Sequence, residues 1–106
     1  MIKAVVLLRR PATWTRERFH RWWLDEHVPY VMTLPELRKY SVCLVTGSTS
    51  HDGHEPWDGM AELWFDSRAG LEAAWASDVG RTALAHSRES HSDRLVLITD
   101  EHVLIN

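Results

Sequence analysis

Residues 37–65 read LRKYSVCLVTGSTSHDGHEPWDGMAELWF. Two apolar runs flank a polar centre. In the first run, Tyr40, Val42 and Leu44 alternate with Lys39, Ser41, Cys43 and Val45, the period of two that marks a strand. In the second, Met60, Glu62 and Trp64 alternate with Gly59, Ala61, Leu63 and Phe65. Between them, residues 47–54 are polar and hold Gly47 and Gly53, which predicts a loop. The stretch therefore predicts two neighbouring strands, over 37–46 and 57–65.

Toward the N-terminus, Ile2 to Leu8 is a further strand, apolar on both faces and stopped by Pro11. Thr15 is a candidate N-cap for a helix that starts at Arg16. Phe19, Trp23 and His27 then recur at steps of four, joined by Trp22 and Tyr30 on a broad apolar face. Pro29 removes a backbone donor and predicts a kink near the helix end, and Pro35 stops the run. Toward the C-terminus, Asp66 or Ser67 caps a second helix with Leu71, Ala74 and Trp75 on its apolar stripe. Further helical turns follow over 78–86, and Arg94 to Ile105 completes the pattern as a last strand.

The order is β-α-β-β-α-β, which predicts an α+β, ferredoxin-like domain over 1–106 with an antiparallel four-stranded sheet and both helices on one face. The other face is left bare. Because several strands are apolar on both sides, a second copy of the chain is expected to cover it, giving a homodimer. A chain of 106 residues is long enough for one domain.

Composition narrows the function. With 15 acidic and 12 basic residues, the chain lacks the basic face that nucleic acid or an anionic membrane would need. The apolar run Ala4 to Leu8 is too short for a signal-peptide core or a membrane span, so a cytoplasmic location is the expectation. Cys43 is the lone cysteine, which excludes an internal disulfide. The seven histidines form no metal-binding pattern, and no phosphate loop, nucleophile elbow or dinucleotide fingerprint occurs. Neither a metal nor another cofactor is expected. Six tryptophans are a heavy aromatic load, suited to a core and equally to a pocket for a planar ligand.

The candidate chemistry centres on His27 and Tyr40. A neutral imidazole beside a tyrosine hydroxyl in an apolar cleft suits proton transfer, with the hydroxyl donating to a developing oxyanion. The alternative for His27 is a buried histidine satisfied by a neighbour. His54 stands in the loop before the third strand. Glu62 is a candidate acid or base, or else a strand glutamate paired with a basic residue. Arg10 could hold a substrate carboxylate, or simply close the first strand beside Arg9. Trp23, Trp64 and Trp75 are the expected aromatic walls.

The runs Phe19-His20-Arg21-Trp22-Trp23, Glu26-His27 and Leu34-Pro35-Glu36-Leu37-Arg38-Lys39-Tyr40 resemble the EthD-like group of dimeric α+β barrel proteins. So does the stretch from Asp58 to Ser67. Within that group the chain looks most like the cofactor-free methylmuconolactone methylisomerases. That resemblance implies catalytic roles for His27, Tyr40 and His54, and it puts Leu63 where those enzymes carry a cysteine. It implies an isomerase or cyclase acting on a small oxygenated ring compound. A cofactor-independent oxygenase of phenols and a non-catalytic binding protein for a hydrophobic metabolite are the alternatives.

Overall fold

The computed structural model describes residues 1–49 and 57–106. Strand β1 spans Ile2–Arg9, helix α1 Arg16–Arg21, a π-helical segment Trp22–His27 and helix α2 Val28–Val31. Strands β2 (Lys39–Leu44) and β3 (Gly59–Phe65) follow, then helices α3 (Arg68–Ala76) and α4 (Asp78–Arg88) and strand β4 (Asp93–Asp100). The four strands form one sheet in the order β2-β3-β1-β4, and every neighbouring pair is antiparallel. This is the ferredoxin-like α+β architecture that the sequence order predicts. The last strand is shorter than expected: it ends at Asp100, and Val103, Leu104 and Ile105 are exposed beyond it.

Strand alternation divides the sheet into two faces. Tyr40, Val42 and Leu44 pair with Leu63, Ala61 and Gly59, which pair in turn with Ala4, Val6 and Leu8 of β1. These side chains face the helices and pack with Phe19, Trp22, Trp23, Leu71, Ala74 and Ala83 into one core. The opposite face carries Lys3, Val5 and Leu7, with Met60, Glu62 and Trp64 alongside. On β4, Leu95 and Leu97 extend that face and stay 40% and 45% exposed.

Capping sets the helix starts. The Thr15 hydroxyl accepts from the Arg18 amide, and Ser67 and Ser77 accept from Gly70 and Gly80 in the same way. Gly80 also lets α4 start against the end of α3, since a Cβ there would stand 2.2 Å from the Ala74 carbonyl oxygen. Pro29 acts on the backbone before it. It has no N–H to give, and the helix widens over Trp22–His27 so that the Val28 amide reaches the Trp23 carbonyl, five residues back. The disturbance expected at Pro29 takes the form of this wider turn.

Trp23 lies close against the sheet. A Cβ on Gly59 would come within 2.4 Å of the Trp23 ring, so only glycine admits the indole there.

Candidate functional site

Between the helical layer and the sheet lies an apolar cavity of about 30 Å³. Val6, Leu8, Ala61 and Leu63 form its floor, and Trp23, Trp75 and Val31 its walls. Its polar lining comes from His27, Tyr40, Ser87 and Arg94. No aspartate or glutamate lines it among the described residues.

His27 is 7% exposed. Its Nδ1 lies 2.9 Å from Nδ1 of His86 on α4, and its other ring nitrogen makes no hydrogen bond among the described residues. The two imidazoles are stacked at an interplanar angle of 6°. Trp22 stacks on both, and Tyr30 stacks on His86 at 4.2 Å. Burial is the main reason that the His27 pKa falls to about 4; His86, His91 and Arg94 lower it further. His27 is therefore neutral at pH 7. His86 also lines an open depression of about 450 Å³ together with Arg18, Arg21 and Glu89. The imidazole pair thus lies between the cavity and the surface depression.

The Tyr40 hydroxyl and the Trp23 indole N–H are buried and have no hydrogen-bond partner among the described residues. Burial pushes the Tyr40 pKa up to about 12, and the nearby Trp23 side chain offsets part of this without completing a hydrogen bond. Both groups are donors at neutral pH. Arg94, on the helix-facing side of β4, likewise leaves its Nε without a partner. Burial lowers its pKa, and Arg88 adds to that.

The structure brings His27, Tyr40, Trp23 and Trp75 together at this cavity. It does not bring Arg10, Glu62 or Trp64 there. Arg10 bonds the buried Asp58 carboxylate through Nη1 (2.6 Å) and its own amide (2.8 Å), and gives its Nε to the Trp14 carbonyl. Leu63 takes the helix-facing position on β3, so Glu62 and Trp64 must point to the other side. There Lys3 bonds Glu62 at 2.7 Å, and the Trp64 indole donates to Glu101 at 2.9 Å. Lys3 and Lys39 both lie over the Trp64 ring. His54 lies outside the described residues.

Sequence reasoning missed His86 and Arg94. Each breaks an apolar pattern: His86 and Ser87 interrupt the buried stripe of α4 after Ala83, and Arg94 precedes Val96 and Ile98 on the inward face of β4. Among the described residues, no group of three or more His, Cys, Asp or Glu side chains is arranged to hold a metal ion.

The EthD domain family model matches residues 11–94, a span that contains the polar lining residues His27, Tyr40, Ser87 and Arg94. The chain belongs to the EthD domain family. An EthD family protein from Bacillus halodurans C-125 superposes with a TM-score of 0.83 at 22% identity, over 96% of this chain and 99% of that one. A dimeric ferredoxin-like protein of unknown function from Thermobifida fusca YX gives 0.73 at 20% identity, over 92% and 88%. An antibiotic biosynthesis monooxygenase gives 0.63 at 14% identity, over 96% and 99%. At these identities the structural likeness establishes the ferredoxin-like fold. No curated protein sequence is significantly similar. Among the described residues, no helix is long and apolar enough to cross a membrane.

Proposed function

We propose that this EthD-family chain is a cofactor-free isomerase or cyclase that moves a proton on a small oxygenated ring compound in the Trp23–Trp75 cavity. One observation carries the reading: a buried, neutral imidazole with one nitrogen tied to His86 and the other without a partner among the described residues, in the same cavity as a tyrosine hydroxyl that likewise has none among them.

With its proton on Nδ1 donated to His86, His27 presents the Nε2 lone pair as a base. Nε2 takes a proton from carbon next to a carbonyl, and the electron pair moves onto the carbonyl oxygen. The Tyr40 hydroxyl and Trp23 N–H donate to that oxyanion. The imidazolium then returns the proton at another atom, which completes an isomerisation. Alternatively the enolate carbon attacks a second carbonyl of the same molecule and closes a ring, and the imidazolium protonates the new alkoxide. Removal of a second proton from the same carbon then expels that hydroxyl as water, which completes a dehydrative cyclisation. His86 bonds the imidazolium and opens to the surface depression, where protons exchange with water. A cavity of about 30 Å³ has the space of a single water. A ring compound therefore needs this cavity to widen.

The test is turnover by His27→Gln on a panel of lactones and polyketide-like aromatics. Loss of a positioned base lowers the rate roughly 10²–10⁴-fold with the fold intact. Full activity in the variant would end the reading.

The likeness to the monooxygenase supports a second reading, in which the same base deprotonates a phenol that then reacts with molecular oxygen. Oxygen uptake with phenolic substrates separates the two. Two copies of the chain are the proposed assembly, joined through the outer sheet face where Val5, Leu7, Leu95 and Leu97 lie together.

A further inference from the structure

Of the buried side-chain polar atoms that lack a partner among the described residues, Trp23 Nε1, Tyr40 OH and Arg94 Nε all belong to residues lining the one cavity. Trp23 and Arg94 can only donate, and a tyrosine hydroxyl with a raised pKa keeps its proton to donate. A buried donor left unpaired is costly, and a half-buried guanidinium without a counter-charge more so. Elsewhere Arg9, Arg10, Arg38 and Arg68 each bond a carboxylate. Arg94 has no such partner among the described residues, and no carboxylate lines the cavity.

We infer that the cavity's ligand carries a carboxylate held by Arg94, while its ring carbonyl oxygen accepts from Tyr40 and Trp23. This deepens the proposed function and rests on its reading of the cavity as a site for a small ring compound. A carboxylate is acceptor-only, matches the planar guanidinium, and supplies the counter-charge missing among the described residues. An amide or alcohol of the same shape would bring further donors against these donors.

The test is a binding comparison between acids and their methyl esters. The probes are muconolactone and benzoate, each against its methyl ester, followed by quenching of tryptophan fluorescence and by thermal stabilisation. The wild-type chain binds each acid roughly 10- to 100-fold more tightly than its ester, the range for one charge-assisted hydrogen bond. Arg94→Met removes the preference, and Arg94→Lys, which keeps a charge without the planar fork, retains part of it. Circular dichroism reports whether the variants fold; if Arg94→Met does not, the wild-type comparison and Arg94→Lys decide. Esters that bind as tightly as acids, acids that do not bind, or a preference that survives Arg94→Met overturn the inference. An acid that binds through Arg94 and is returned unchanged leaves the inference standing and removes the proposed reaction. An ester converted as fast as its acid does the reverse.

Discussion

His27 and His86 meet Nδ1 to Nδ1 at 2.9 Å, with their rings nearly parallel. Between two neutral imidazoles only one can donate, so each fixes the other's tautomer. If the proton sits on His27, its free nitrogen is a base aimed at the cavity, and His86 takes the orienting part. Substituting His86 therefore acts through His27. We expect His86→Phe, which keeps the aromatic stack, to lower kcat about 10- to 100-fold. It also removes the neighbour that helps hold the His27 pKa down, so the His27 imidazole should titrate above about 4 in an NMR titration. An unchanged His27 titration would mean that His86 does not position it.

Stability should depend on pH through the same histidine. The unfolded chain protonates it near its ordinary value of 6.5, whereas the folded chain does so only at about 4. Between those values the unfolded state binds more protons. The contribution of His27 is thus fully present above pH 6.5 and is lost as pH falls through about 4. The shift corresponds to something on the order of 3 kcal/mol. Urea unfolding at pH 7 and pH 4.5 measures it, and His27→Gln should show a smaller drop between the two than the wild-type chain. An equal drop in both would place the pH dependence elsewhere.

Gly59 is predicted to be intolerant of a side chain. The Cβ of Gly59→Ala would press into the Trp23 ring at 2.4 Å. Overpacking of this kind costs about 1–3 kcal/mol. Denaturant unfolding should show the loss, with a change in tryptophan emission as the indole shifts. Wild-type stability with unchanged emission would contradict the packing described for β3 and the π-helical segment.

The outer sheet face makes a separate prediction. Leu95 and Leu97 are exposed beside Val5 and Leu7. Light scattering at micromolar concentration should give the mass of two chains, and Leu97→Arg should give that of one. A wild-type monomer would contradict the proposed pairing.

The fold was legible because strand and helix periods, a hydroxyl N-cap and two prolines all agreed along the chain. Thr15 caps where its position predicts, and Tyr40, Val42 and Leu44 take the core side of β2. Part of the cavity was legible for the same reason, since His27 shares the apolar stripe of Trp23. Arg10, Glu62 and Trp64 were harder to place. Their alternation says that they share or oppose a face, but only the packed sheet says which face the helices cover. Arg10 found the buried Asp58 across 48 residues, a pairing that no local pattern carries. The partnership of His27 with His86 spans 59 residues and depends on how α4 docks. Arg94 was hidden in a strand whose neighbours drew attention as apolar.

The most direct test of the central claim follows the mass of muconolactones and polyketide-like aromatics incubated with the wild-type chain and with His27→Gln. The account predicts a product of unchanged mass, or of mass reduced by one water, formed by the wild-type chain and formed roughly 10²–10⁴-fold more slowly by the variant. Equal conversion by both, or compounds that bind both and return unaltered, would contradict it.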